Sequence, residues 1–220
     1  MTYKLVLFDA DGTLFNDDEP IIRAFKKAFI KHGYRAPDAE VIIKHAGLSG
    51  LEWTRAIAKD ERILKNLTDE KIQEIAHDAD FLLNSFFFKV LGKETHGARA
   101  LLEHLKKHDI HFAIVTNADT QMILECLKIV KLNDLIDEKQ IYAADKYQAK
   151  PNPEMINTAI NEHNTTKTET IIVGDTQTDV DAANAAGINS YLLVNSRNKN
   201  VKGETQRITS LNQIISLTNP

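Results

Sequence analysis

Two aspartates, Asp9 and Asp11, stand one residue apart in the stretch "YKLVLFDADGTLFND" that runs from Tyr3 to Asp17. An apolar run leads into them, and Gly12 behind them lets the chain turn away. Carboxylates this close repel one another unless a cation or a proton stands between them. Matching side chains recur at Thr116 and Asn117 in "HFAIVTN", at Lys150 in "AKPNPE", and at Asp175 and Asp179 in "GDTQTD". The chemistry that such a set supports is phosphoryl transfer. A phosphomonoester dianion is repelled by carboxylates alone, but a hard divalent cation such as Mg²⁺ held among them reverses the local field. Asp9 can then attack phosphorus and form an acyl phosphate. Asp11 can protonate the leaving oxygen and later activate water against the intermediate. Thr116 and the amides after it, at Asn117 and Ala118, can hold phosphoryl oxygens while Lys150 neutralises the charge that moves between groups.

These residues can meet only if the elements that carry them end at one place. Short apolar runs recur as "KLVLFD", "HFAIVTN", "QIYAAD", "TIIVGD" and "SYLLVN". Between them lie "GARALLEHLKKH", "DTQMILECLKIVK", "NPEMINTAINEH" and "TDVDAANAAGI", each apolar at three- and four-residue spacing. Strands alternating with helices predict an α/β fold with a doubly wound parallel sheet. Each candidate group falls just past the C-terminal end of a strand, the rim where ligands bind in such sheets. Pro153 suits a first helical turn, and Gly187 follows the last turn of its helix.

Between Phe15 and about Gly92 the rhythm breaks, and only helical stretches follow one another. This pattern predicts an α/β core from 1–14 and 93–220 with an all-helical cap domain inserted at 15–92. The insertion follows the two aspartates directly, so it is expected to hang over them. Its aromatics Phe25, Phe29, Phe81, Phe86, Phe87 and Phe88 read as the core of a helix bundle. In the loop "AGLSGLEWTR", Ala46 to Arg55, Gly47 and Gly50 allow a tight approach, and Ser49, Trp53 and Arg55 offer polar or stacking contacts to a substrate. The same loop reads equally well as an interhelical turn with Trp53 in the cap core.

Composition narrows the class of partner. The chain has 220 residues, 43% of them hydrophobic, and a formal net charge of −4. That balance gives no electrostatic reason to bind nucleic acid or anionic membrane. No apolar stretch approaches the roughly 18 to 20 residues of a membrane span, and no signal peptide is evident. A single cysteine, Cys126, rules out an internal disulfide, suits a reducing compartment and reads as a small core residue of "MILECLKIV". A cytoplasmic protein, monomeric and acting on a small molecule, is expected. An EF-hand loop counted from Asp9 would need Gly and Glu where Leu14 and Pro20 stand. His104 and His108 have metal-ligand spacing with His111 nearby, but Lys106 and Lys107 between them make a solvated face the better reading.

"DADGT", "TN", "KPNP" and "GDTQTD" resemble, in order and spacing, the four motifs of the haloacid dehalogenase superfamily. The helical insert resembles that superfamily's small cap, placed between its first and second motifs, so the resemblance spans essentially the whole chain. It implies Asp9 as nucleophile, Asp11 as acid and base, Thr116 as phosphate binder and Lys150 as the charge-stabilising lysine. It implies Mg²⁺ held by Asp9, the Asp11 backbone carbonyl and Asp175, with Asp179, Gly12 and Thr13 in support. The implied activity is Mg²⁺-dependent hydrolysis of a small phosphorylated metabolite: phosphoglycolate, a sugar phosphate or a nucleoside monophosphate. A phosphomutase of the β-phosphoglucomutase type is the alternative, although such relatives carry a basic residue after a G-x-S in the cap loop, where Gly50 stands here. Metal-independent dehalogenases leave Asp11 without a task. Receiver-type phospho-acceptor switches are shorter, uncapped and lack a second aspartate to discharge the phosphate.

Overall fold

Leu5, Val6, Leu7 and Phe8 have no exposed surface, as an apolar run must when both faces of its strand are covered. They form β1 (Leu5–Phe8), which lies inside the sheet between β4 (His111–Thr116) and β6 (Thr170–Gly174) in the computed structural model. The structure describes residues 3–46, 48–62, 67–195, 198 and 200–218. With β5 (Ile141–Ala143), β7 (Asn189–Leu193) and β8 (Gln206–Ile208), these strands make a six-stranded sheet in the order β5–β4–β1–β6–β7–β8. Every neighbouring pair in it is parallel, which is the predicted α/β doubly wound arrangement.

From β1 the order runs outward through β4 and β5, then resumes on the other side of β1 with β6, β7 and β8. Strand order therefore reverses at β1, where an open α/β sheet leaves a crevice. Register brings the strand exits level: Phe8 pairs with Ile114 on one side and Val173 on the other. The Asp9 backbone N–H donates to the Val173 carbonyl at 2.9 Å, so the ladder to β6 continues one step past the strand.

Helices α6 (Ala98–Lys107), α7 (Thr120–Ile129), α8 (Glu154–Glu162), α9 (Gln177–Ala186) and α10 (Asn212–Thr218) accompany the sheet. Met155, Ile156 and Ala159 of α8 and Ala182, Ala183 and Ala186 of α9 pack on Leu5, Leu7, Val115 and Ile172. Each large apolar side chain so buried contributes roughly 1.5–3 kcal/mol. Asp119 caps α7 by accepting from Gln121 N and Met122 N, and Gly187 ends α9 in the left-handed conformation at φ 75°. Pro153 is the N-cap of α8, one residue ahead of its first turn. Cys126 is buried on α7, the core position read for it.

Contacts divide the chain into two compact units, 1–16 with 93–220 and 17–92. Phe15 and Asn16 (β2) stay with the first because they pair antiparallel with Glu94 and Lys93 (β3). Among its described residues the second unit holds α1 (Asp18–Lys31), α2 (Ala39–Lys44), α3 (Gly50–Asp60), α4 (Asp69–Leu82), a π-helical turn (Leu83–Phe87) and α5 (Phe88–Leu91). Its core holds Ile21, Phe25, Phe29, Ile42, Trp53 and Ile75.

The expectation that all six aromatics of the insert are core is corrected. Phe25, Phe29 and Phe88 are buried, but Phe81 and Phe86 are 60% and 56% exposed. Phe81 lies off the Ile72–Ile75–Ala79 face of α4. Past Leu82 the π-helical turn interrupts the α-helical register, and beyond it Phe88 is buried while Phe86 is exposed. His104 and His108 stack at 4.5 Å between ring centroids, with burial and then His108 lowering the His104 pKa. Among the described residues they gather no third ligand, and no helix is long and apolar enough to cross a membrane.

Candidate active site

The groups expected at the rim converge. Asp9 follows β1 and is 6% exposed; Lys150, in the segment between β5 and α8, reaches it through a 2.6 Å hydrogen bond from Nζ to Oδ1. The same Nζ donates to Asp179 Oδ1 at 2.6 Å and to the Val115 carbonyl at 2.7 Å. All three protons of the ammonium are thereby used, and its side chain is 2% exposed. Asp179 sits in the first turn of α9, where its Oδ2 accepts from Thr176 N and Thr176 Oγ1 at 2.9 and 2.6 Å. Gly174 makes room for it, since a Cβ there would stand 2.5 Å from Asp179 Cγ.

Asp175 follows β6 and has no exposed surface. Thr13 Oγ1 donates weakly to its Oδ1 at 3.4 Å. Gly12, at φ 82°, comes so close that a Cβ would lie 2.4 Å from Asp175 Oδ2. That approach and that backbone angle both require glycine. One carboxylate oxygen from each of Asp9, Asp175 and Asp179 lies within 4.8 Å of the other two. Asp11, half-buried in the turn after Asp9, keeps its carboxylate outside that cluster.

Two of the residues expected at the phosphate make further hydrogen bonds in this structure. The Asn117 side chain clamps the Lys150 backbone reciprocally, donating to its carbonyl at 3.0 Å and accepting from its N–H at 2.6 Å. Its side-chain amide therefore positions the lysine. Ala118 N–H donates to Thr116 Oγ1 at 3.0 Å, closing a local turn at the end of β4. In the second unit, Trp53 packs in the core: its ring centroid lies 5.0 Å from that of Phe25 and its Nε1 donates to the Ile42 carbonyl at 2.6 Å. Ser49 caps α3 in a capping box with Glu52, and Arg55 pairs with Asp69 at 2.9 Å. Gly47 of that loop lies outside the described residues.

Sequence reasoning missed three contributors. The Val115 carbonyl has no side-chain signature. Asn195 donates from Nδ2 to Asp175 Oδ2 at 2.7 Å, and Asn198 donates to the Asp175 carbonyl at 3.1 Å. Their one available signal was position: "SYLLVN" ends on Asn195 at the same rim as the other groups.

Electrostatics follow from burial. Lack of solvent, and then Asp179, push the Asp9 pKa up to about 6, with Lys150 opposing. Burial alone would lower the Lys150 pKa, but Asp179 and Asp9 outweigh it and raise it. Protonation of Asp9 therefore favours the folded state. Its contribution is fully present below the unperturbed 3.8 and is lost as pH rises through about 6. Three clustered carboxylates face one ammonium, an excess of negative charge presented by oxygen alone. That donor set, in the hollow that Gly12 leaves open, suits a hard divalent cation.

Comparison with known proteins agrees with this geometry. The family model described as haloacid dehalogenase-like hydrolase matches residues 6–193. The chain is 30% identical over 200 residues to a phosphoglycolate phosphatase of Aliivibrio fischeri, covering 86% of this chain and 83% of that one. It is 28% identical over 194 residues to the pyrophosphatase PpaX of Halalkalibacterium halodurans, covering 88% and 84%. A crystal structure described as a predicted phosphoglycolate phosphatase from Haemophilus somnus superposes with a TM-score of 0.86 at 19% identity, covering 100% of this chain and 99% of that one. With the motifs in order, the doubly wound sheet and a match spanning most of its length, the chain belongs to the haloacid dehalogenase-like hydrolases, in their phosphatase branch.

Proposed function

We propose that the protein hydrolyses phosphomonoesters of small metabolites, with the phosphoryl group carried transiently on Asp9. The buried arrangement of Asp9, Lys150 and Asp179 beside Asp175 is the observation that carries this reading. A carboxylate oxygen of Asp9 attacks phosphorus as the P–O ester bond breaks, and Asp11 gives its proton to the departing oxygen. Asp11 then takes a proton from water, whose oxygen attacks the acyl phosphate and releases inorganic phosphate. Thr116 and backbone amides at the β4 exit steady the phosphoryl oxygens, while Lys150 holds Asp9 in place and offsets its charge. Mg²⁺, held by Asp9, the Asp11 backbone carbonyl and Asp175, supplies the positive charge that lets a phosphate dianion approach. Asp179, with both oxygens already accepting hydrogen bonds, acts as support.

A panel of phosphomonoesters with and without Mg²⁺, ranked by kcat/KM, tests the reading. Relatives named for phosphoglycolate and pyrophosphate put phosphoglycolate first on it and add pyrophosphate, a phosphoanhydride, beside it. Asp175→Ala should lower turnover by about 10²-fold or more and raise the Mg²⁺ requirement. Undiminished wild-type turnover in excess EDTA would overturn the cation assignment. Phosphoryl transfer to a second sugar hydroxyl in preference to water would favour the mutase alternative.

The raised Asp9 pKa adds a pH prediction, because a proton there competes with the cation. Mg²⁺ affinity should fall by about tenfold for each pH unit below 6, as the Asp9 carboxylate takes up its proton. Titration calorimetry at about pH 5 and about pH 7 reads this directly, and equal affinities would place the cation away from Asp9.

We assign substrate choice to the helical unit, because the motifs address only the phosphate. Replacing Ser49 or Arg55 should reorder the panel more than it lowers activity on a small generic ester. An unchanged ranking would move specificity elsewhere.

A further inference from the structure

The loop after β7 grips Asp175 twice. Asn195 Nδ2 donates to the carboxylate Oδ2 at 2.7 Å, the oxygen that Gly12 also approaches. Asn198, 1% exposed, donates from Nδ2 to the Asp175 carbonyl at 3.1 Å and to the Leu193 carbonyl at 2.6 Å. Its Oδ1 accepts from Asn195 N at 3.2 Å. Asn198 therefore ties the β6 exit to the β7 exit and sets the backbone from which Asn195 reaches the carboxylate. Thr13 Oγ1 reaches the other carboxylate oxygen only at 3.4 Å, a longer and weaker bond than that from Asn195.

We propose that Asn195, placed by Asn198, is a positioning residue that fixes the rotation of the Asp175 carboxylate and so sets the site's preference for a small cation over a large one. The inference rests on reading Asp175 as a cation ligand. Mg²⁺ demands near-octahedral geometry with oxygens at about 2.0–2.1 Å, whereas Ca²⁺ accepts one or both oxygens of a carboxylate at about 2.3–2.6 Å. A carboxylate that cannot rotate suits the first ion. One released from the amide can turn to present both oxygens and suits the second. Hydrogen-bond partners of metal ligands are typically worth about 10- to 100-fold in affinity.

The test is titration calorimetry of the full chain with Mg²⁺ and, separately, Ca²⁺. Asn195→Ala should weaken Mg²⁺ binding by about 10- to 100-fold while weakening Ca²⁺ by less than about threefold, which narrows the discrimination between them. Asn195→Leu keeps side-chain volume without the donor and should behave alike, so the result stands even if the alanine variant folds poorly. Thermal melting in EDTA reports the integrity of each variant apart from the cation. If Asp175→Asn leaves Mg²⁺ binding intact, the reading of Asp175 as a ligand fails. If Asp175→Asn abolishes binding but the Asn195 variants weaken both ions equally, or neither, the ligand reading stands and the positioning role is overturned.

Discussion

Asp9→Asn should leave no measurable turnover on any phosphomonoester, a loss of roughly 10⁵- to 10⁶-fold, as when other hydrolases lose their nucleophile. The substitution keeps the shape of the side chain and can still offer an oxygen to Lys150 Nζ, so folding is preserved while nucleophilicity is not. Asp11→Asn separates the two steps. An alkyl phosphate has a poor leaving group that needs a proton, so the first step fails. With p-nitrophenyl phosphate the leaving group is stable as an anion, and Asp9 can be phosphorylated without help. Hydrolysis of the acyl phosphate still wants a general base, worth about 10²- to 10⁴-fold. Rapid mixing should therefore give a burst of nitrophenol near one equivalent of enzyme, followed by slow turnover, with phosphate found on Asp9 by mass spectrometry. The same burst and label in Asp9→Asn, or a label on another residue, would show the roles to be wrong.

Lys150→Met should cost more in stability than any other single change at the site. Methionine fills the space of the lysine stem but removes the one donor that Asp9, Asp179 and the Val115 carbonyl share. Two buried carboxylates then face each other without their counter-charge, at a cost of about 3–5 kcal/mol. Activity should fall with it, by about 10³-fold or more, since the same ammonium offsets the charge of the reacting carboxylate. The sign of the pH dependence follows from Asp9. Its pKa is already raised by burial and Asp179, and loss of Lys150 removes what opposes that rise. The folded variant should therefore take up a proton more readily and recover stability as the solution is acidified. Urea denaturation in EDTA should show the gap from wild type narrowing between about pH 7 and about pH 5. A gap that stays constant would mean that Lys150 is not what keeps the Asp9 charge tolerable.

Residues that announce themselves by pattern were legible in the sequence, and residues that act through the backbone were not. β1, β4, β5, β6 and β7 all lie within apolar runs, because a strand covered on both faces leaves no other composition available. β8 is an edge strand whose Gln206 and Arg207 are exposed, and with one buried residue, Ile208, it offers nothing to read. Asp9, Lys150, Asp175 and Asp179 could be placed at one rim because each follows a strand. Asn117 also falls at that rim, but nothing in its type or spacing announces that its side chain clamps a distant peptide. The reciprocal bonds to Lys150 are a fact of three dimensions across 33 positions of chain. Trp53 illustrates the same limit: its type suits stacking or a core, and only packing against Phe25 decides. The register change at Leu83–Phe87 is invisible to a helical-wheel reading, which assumes one constant period.

The ribbon of β2 and β3 gives the insertion a particular freedom. Its two ends, Asn16 and Lys93, are cross-strand partners, so the chain departs from and rejoins the core at a single ladder step. Joining those ends costs an entropy that grows only with the logarithm of the length between them, about 0.6 kcal/mol for each doubling. The core is therefore almost indifferent to how much chain is spliced in at that point. Segments of different size and sequence could be exchanged there over generations while the residues that handle phosphorus stayed where the sheet put them.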